Sequence, residues 1–386
     1  MRDVVIAGIG MTDLRERDKS LIEMASESSL QAISDAGAED EEFDAIYFAN
    51  MASGAFASQT AVASALADRI SLVPAGAHRI ENGPASGGSA IRSALMGIAS
   101  GMQDLVLVTG SEKMSDVSGD VATDILASMN HPEAEYKHGV PMPGMGALFT
   151  RLYMEKYGVT EDHLAVASAK NHSNGTKNPK AQLRHKPAKM EGIKDSIMVA
   201  DPIRLYHTCP ITDGSAALVM CSKDKAEELG ANYIKVVGSG QATDAQAVEE
   251  REDPLRLKSV KIAADEAFGM AELDRDDVDV IETHDAFITL ELAQIEAAGF
   301  FEPGEAGEAT LEGKTKIDGE LPVNPSGGLK ARGHPVGATG IAQAFEIVTQ
   351  LREEAGERQV KGAKIGYCCN FGGFGNNTVI HLLRRP

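Results

Sequence analysis

Lysine and arginine are scarce, 37 against 57 aspartates and glutamates for a net charge of −20, and no run of them is long enough to track a phosphate backbone. That predicts no nucleic acid and no anionic membrane among the partners. A small anionic ligand stays open, because a few local donors or a helix N-terminus can hold a phosphate or a thioester oxygen against an unfavourable overall field. Cysteine is rare too: the four, Cys209, Cys221, Cys368 and Cys369, form no CxxC metal pairing and no disulfide framework, so reduced thiols and no metal site are expected. Long apolar runs are also missing, since no window approaches the ~18 consecutive apolar residues of a membrane helix. The opening MRDVVIAGIGMTD has one basic residue before an apolar stretch too short for a secretion signal, and no small-residue cleavage site follows it. These absences predict a cytoplasmic protein that opens on a β-strand.

What is present is a chain of 386 residues, 43% of them apolar, enough for two or three domains with real cores. Strand-like runs alternate with Ala-rich segments of helical period: Val4 to Ile9, Leu21 to Ala36, Ala45 to Phe48, Ser86 to Ala99, Leu105 to Thr109. Such alternation predicts a layered α/β fold around a buried sheet. From about Tyr233 the same order returns. DVVIAGIGMTD pairs with YIKVVGSGQATD, and EFDAIYFANMASG with DVDVIETHDAFIT. PASGGSAIRSALMGIASG pairs with HPVGATGIAQAFEIVTQL, and ITDGSAALVMCSKDKA with FGGFGNNTVIHLLRR. Matched features in one order predict a duplicated unit, residues 1–232 and 233–386, whose equivalent loops meet on a shared face.

Residues from about Ser115 to Leu205 break the pattern, with HPEAEYKHGVPMPGMGALFT, a helical stretch near Arg151 to Lys170, and the polar run KNHSNGTKNPKAQLRHK. A long insertion on a rigid scaffold is more often a lid or binding element than a structural excursion, and this one is expected to cover the site.

The GIG of Gly8 to Gly10 follows a strand as a dinucleotide fingerprint would, but Asp13 stands where the third glycine belongs and no helix opens there. A nicotinamide dehydrogenase is a poor reading. NPSGGLKARGHPVGATG, Asn324 to Gly340, is more informative. Its glycines allow close backbone approach, Pro335 restricts the turn, and Gly337 to Gly340 lead into a helix whose N-terminus favours an anion near His334. His284 follows the strand VDVIE, where ligand crevices of α/β proteins lie. The competing reading is a helix cap, a role Asp285 would fill equally well. In YCCNFGGFGNN strand alternation sends Cys368 and Cys369 to opposite faces, and Cys369 is the candidate for the site.

Together these segments resemble the thiolase superfamily, in particular its archaeal and sterol-carrier-type branches. The similarity runs from ENGPASGG through KNHSNGTKNPKAQ, CPITDGSAAL, HDAF and SGGLKARGHPVGATG to CNFGGFGN. It implies a thiolase fold, a duplicated five-layer αβαβα architecture with an inserted loop domain at about 115–205. His334 matches the GHP histidine, which activates a thiol and helps to polarise a thioester oxygen. His284 matches the HDxF histidine that supports an oxyanion hole, and Cys369 the acid/base position. Backbone around Phe371, Gly372 and Gly373 would supply further oxyanion donors. The resemblance also implies coenzyme A thioesters as substrate with no permanently bound cofactor, and assembly as a homodimer or tetramer. The insertion would help to bind coenzyme A. A small zinc-ribbon/OB-fold protein and hydroxymethylglutaryl-CoA synthase are the partners it suggests.

In one place the chain departs from the pattern. Where thiolases carry the nucleophilic cysteine, in a motif of the form NxCASGG, this sequence has Pro84. Proline cannot accept an acyl group, and it also lacks the N–H that usually joins the oxyanion hole, a loss of about 2.7 to 4 kcal/mol of transition-state stabilisation. Proline suits the first turn of a helix, the setting expected here. Ser86 would point away around that helix and would need a closely placed base. Three functions follow. One is aldol or retro-aldol chemistry on a β-hydroxyacyl-CoA by His284, His334 and Cys369 without an acyl-enzyme. Another is ordinary acyltransfer with a different acceptor. The last is a non-catalytic acyl-CoA-binding scaffold, disfavoured by the retention of all three side chains.

Overall fold

The computed structural model describes residues 2–15 and 18–386. The chain opens with β1 (Val4–Met11), α1 (Leu21–Ala36), β2 (Ala45–Ala49), α2 (Ser53–Phe56), α3 (Val62–Arg69), β3 (Gly76–Ile80), α4 (Ser86–Ala99) and β4 (Leu105–Glu112). The insertion folds as α5 (Gly119–Ala127), α6 (Met142–Tyr157), α7 (Glu161–Thr176), α8 (Met190–Lys194) and the small pair β5 (Met198–Ala200) and β6 (Ile203–Arg204). After β7 (Gly214–Ser222) and α9 (Lys223–Leu229) come β8 (Ile234–Thr243), α10 (Lys258–Ala271), β9 (Val280–Glu282), α11 (Ile288–Ala297) and α12 (Ala306–Leu311). The chain closes with α13 (Gly328–Ala331), α14 (Thr339–Leu351), β10 (Ile365–Gly372) and β11 (Asn377–Arg384).

The strands run in the order β3-β2-β4-β7-β1-β8-β11-β10-β9. Only Val5↔Lys235 and Ile6↔Ile234 join β1 to β8. Outward from that seam the pairings repeat on both sides: antiparallel to β7 or β11, antiparallel to β4 or β10, then parallel to β2 or β9. The elements matched in sequence thus sit at equivalent places. A two-residue seam lets the halves of the sheet splay apart, and α4 and α14 fill the gap. Three cores result. Ile91 and Ala94 of α4 and Ile341 and Ile347 of α14 pack between the inner faces of both half-sheets. Ile33 of α1 and Leu66 of α3 cover one outer face, and Val260 and Phe268 of α10 with Ile288 of α11 cover the other. The outcome is helix, sheet, helix, sheet, helix, the five layers that the resemblance implies.

Glycine sets the closest approaches. A Cβ on Gly8 would meet Ala32 O at 2.1 Å and one on Gly10 would meet Ser28 O at 2.0 Å, so the GIG sequence exists to seat α1 on β1. Likewise a Cβ on Gly87 would come within 2.8 Å of Gly340 N, which is how α4 and α14 cross and bring their N-termini to one place.

One expectation needs correction. The helical stretch near Arg151 to Lys170 is two helices: Gly158, at φ 70°, ends α6, and the Thr160/His163 capping box opens α7. In the polar run that begins at Lys170, Asn171, Asn174 and Asn178 are buried: Asn171 donates to Asp285 and Glu291, Asn174 to Asn324 O and Asn178 to Ser326 O. Those amides tie the insertion to the loops that carry the candidate residues.

Candidate active site

A mostly apolar cavity of about 170 Å³ lies where the N-termini of α4 and α14 converge. Met129, Met142 and Val199 of the insertion wall it on one side, so the insertion covers the site. Pro84, His284, His334, Phe371 and Gly373 line it from the scaffold. A wider surface cleft of about 770 Å³ is lined by mixed charges such as Arg256, Lys261, Glu250 and Asp265 and contains none of these residues.

His334 stands between Gly333, at φ 123°, and Pro335, with its backbone N–H donated to Thr212 Oγ1 at 2.9 Å. A Cβ on Gly333 would fall 2.8 Å from the Thr212 side chain, so only glycine admits the turn. The ring meets Thr339 Oγ1 through Nδ1 at 2.7 Å, and that hydroxyl donates to Pro335 O at 3.1 Å. The relay is satisfied when Nδ1 carries the proton, which leaves the Nε2 lone pair free as a base. Burial, with Arg332 beside it, pushes the His334 pKa down to about 3, so the ring is neutral at physiological pH.

The His284 ring stands edge-on to that of His334, centroids 4.8 Å apart. Its backbone is clamped on both sides by Gln294, which accepts from His284 N at 3.2 Å and donates to His284 O at 2.8 Å. Burial first, then His334 and Arg332, hold its pKa well below the usual imidazole range. Its Nδ1 is buried without a hydrogen-bond partner among the described residues, an unusual state for a native polar atom. The helix-cap alternative does not describe this histidine. The N-cap of α11 is Phe287, and Asp285 instead accepts from Leu329 N and Lys330 N at the start of α13.

Pro84 lies one residue before the N-cap of α4, Ala85, and so outside the first helical turn where it was expected. Gly83 at φ 53° turns the chain there, and Pro84 O accepts from Asn370 Nδ2 at 3.0 Å. The Ser86 hydroxyl is consumed locally: it donates to Gly83 O at 2.5 Å and accepts from Asn82 N at 2.8 Å. Opposite, Gly373, at φ 55°, and Phe371 line the cavity, while a Cβ on Gly372 would fall 3.0 Å from the Ala85 Cβ.

Strand alternation does send the two adjacent cysteines apart, Cys368 into the central core and Cys369 into the outer one. There the Cys369 thiol lies beside Tyr367 and Thr283, away from the cavity lining, and burial pushes its pKa up to about 12. The cysteine on the cavity wall is Cys209, which the sequence analysis passed over. Its segment is bridged to both histidine loops, Thr208 with Phe287 and Ile211 with His334, and burial pushes its thiol up to about 12 as well. Glu112 was also missed. Its carboxylate accepts from Met51 N, Ala52 N and Gly337 N and so pins the loop after His334 to the opposite half of the sheet. Burial outweighs those bonds and raises its pKa to about 7. No local motif announces such a residue, because its partners are distant in the chain.

Residues 4–224 match the family described as thiolase, N-terminal domain, and residues 240–385 that described as thiolase C-terminal domain-like. The chain is 45% identical over 386 residues to an acetyl-CoA acetyltransferase of Methanothermobacter thermautotrophicus, covering 100% of both chains. It is 30% identical to sterol carrier protein 2 of Bos taurus, covering 99% of this chain and 72% of that one. Among solved structures it is similar to the Ltp2-ChsH2(DUF35) aldolase, with a TM-score of 0.85 and 23% identity over 99% of this chain and 98% of that chain, a likeness of fold.

Proposed function

Because the chain belongs to the thiolase family, we propose that its cavity holds an acyl-CoA thioester and that the protein makes or breaks the carbon–carbon bond next to the thioester carbonyl without forming an acyl-enzyme. One observation supports this reading: Pro84, which we take to stand at the position of the family nucleophile, lines the cavity, and two neutral histidines face one another at 4.8 Å in the same cavity. The names of the relatives, acetyl-CoA acetyltransferase among them, support the substrate class.

In cleavage of a β-hydroxyacyl thioester, His334 Nε2 takes the hydroxyl proton, the bond between the α and β carbons breaks, and the electron pair becomes a thioester enolate. The His284 imidazole and the backbone near Gly373 stabilise that enolate oxygen, and the proton on His334 returns to the α carbon. Condensation runs the same steps in reverse. A neutral imidazole is needed at the start, and burial supplies it. This leaves Cys369, named above as an acid/base candidate, in the wall behind the histidines rather than at the reacting atoms. The cations of the insertion, Lys177, Lys186 and Lys189 among them, offer the coenzyme A phosphates a local attraction that the chain as a whole does not. We also propose that the protein is cytoplasmic, and that it works as a homo-oligomer with an accessory protein of the kind present in the aldolase complex of similar fold.

The test is intact-protein mass spectrometry after mixing with acetyl-CoA and with acetoacetyl-CoA, beside an assay of carbon–carbon cleavage of a β-hydroxyacyl-CoA. Cleavage with no mass increment on the wild type is expected, together with a new acyl adduct on a Pro84→Cys variant. A stable increment on the unaltered protein would overturn the non-covalent route. Binding without any cleavage would leave a scaffold and sink the enzymatic reading.

A further inference from the structure

Beyond Phe374 the cavity wall gives onto a second, larger space. A cleft of about 430 Å³ is lined by Val140, Met145, Leu148, Leu152, Val248 and Pro254, and Phe374 is common to its lining and that of the 170 Å³ cavity. The three rings in this region form a row: Phe287 on the cavity side lies 6.4 Å from Phe374, and Phe149 on the cleft side 5.6 Å. Phe374 sits in the turn between β10 and β11, between Gly373 at φ 55° and Gly375 at φ 85°. Its carbonyl is held by Arg251 Nη1 at 2.8 Å. The backbone is anchored, and the ring is the partition.

Size and charge say what belongs in the cleft. A cavity of about 150 Å³ takes a molecule the size of benzene, so 170 Å³ suits a short acyl group such as acetoacetyl and little more. Typical ligand sites run from about 300 to 1,000 Å³, which the cavity alone does not reach. Apart from Arg151, whose partner is Asp201, the charged residues of the cleft are Glu135, Glu155 and Glu249, a lining that repels the phosphates of coenzyme A. Yet α6 bares Leu148 and Leu152 there, 62% and 47% exposed, apolar surface left in water. The far wall of the cavity, Thr208 to Ile211, adjoins the cationic stretch of the insertion, where Gln182 donates to Ile211 O at 3.0 Å. A coenzyme A thioester therefore has one polarity in this channel, phosphates toward the cationic stretch around Lys177 to Lys189 and acyl tail past Phe374 toward α6.

We infer that the cleft behind Phe374 receives the acyl tail, that the preferred substrates are thioesters of chains longer than acetoacetyl, and that Phe374 sets how far the tail extends. This rests on the 170 Å³ cavity being the thioester site. The experiment is titration calorimetry with butyryl-, hexanoyl-, octanoyl- and decanoyl-CoA on the wild type, Phe374→Ala and Leu148→Glu. On the wild type each added methylene is expected to tighten binding, up to about fourfold where it is fully buried. Phe374→Ala should steepen that trend, and Leu148→Glu, which puts a charge on an exposed face and so leaves folding intact, should flatten it beyond hexanoyl. If butyryl-CoA binds and affinity is the same at every chain length in all three proteins, the tail subsite is overturned and the thioester site stands. If no acyl-CoA binds the wild type, the underlying reading of the cavity falls first and the inference goes with it.

Discussion

The N-termini of α4 and α14 are counterparts in a duplicated fold, and they reach the same cavity carrying opposite chemistry. Each is preceded by a Gly/Pro turn with positive φ, at Gly83 and at Gly333. Each helix touches the other through glycine, Gly87 and Gly340. One turn ends in Pro84, whose ring has neither proton nor lone pair to offer, and the other in His334, with a relay through Thr339 that frees Nε2. Position comes from backbone packing shared by both halves. Reactivity comes from one side chain that packing does not constrain. A proline and a histidine at matching helix starts are therefore both compatible with one scaffold.

The comparison breaks most completely if the crossing is forced apart. Gly340→Val would push a side chain into Gly88 N, 2.4 Å from the Cβ position, and into the Asn370 amide at 2.2 Å. A loss of at least about 3 kcal/mol is expected, read as a lowered urea midpoint. A variant as stable as the parent would mean the helices do not meet this way.

Removing the base alone should leave the scaffold and abolish the chemistry. His334→Asn is expected to cost ~10³-fold in turnover with unchanged circular dichroism. The parent's pH profile sharpens the point. A histidine held at about 3 stays an active base down to acid pH, so kcat/KM should show no acid limb between pH 5 and 8. Its folded pKa lies below the unfolded ~6.5, so the stability it contributes is fully present above pH 6.5 and declines as pH falls toward 3. A limb near 6.5 that His334→Asn removes would show an exposed, ordinary imidazole instead.

The smallest expected effect comes from the relay. Thr339→Val keeps the shape of the side chain and strands Nδ1–H, so a rate loss of about tenfold is expected, restored by Thr339→Ser. Because Thr339 acts through His334, the loss should fall in kcat rather than KM and should change the ring tautomer seen by nitrogen NMR. Equal tautomers in parent and variant would remove Thr339 from the argument.

Much of this was legible before any coordinates. The alternation of β-branched runs with Ala-rich segments located α1 and α4, because their burial depends on local period and capping. The repeated order of features located the counterpart strands, since a duplicated unit must pair the same way twice. Cavity-lining residues were legible where a glycine-rich turn frames them, as at His334, and after a strand, as at His284. Cys369 illustrates the limit: alternation separated it from Cys368, but which face of β10 borders the cavity depends on what packs on each side. Cys209 and Glu112 had no local signal, because both owe their place to elements far away in the chain. The polar run from Lys170 carried no signal of its partners: the amides of Asn171, Asn174 and Asn178 are bonded to Asp285, Asn324 and Ser326, far away in the chain.

By itself the sequence determined the layered α/β class, the duplication, the inserted segment and the proline before α4, all properties of residue order and period. Only the tertiary structure decided which side chains share a cavity, which histidine nitrogen is free, and which cysteine faces in. Those depend on desolvation and on contacts between residues hundreds of positions apart, and no local pattern encodes either.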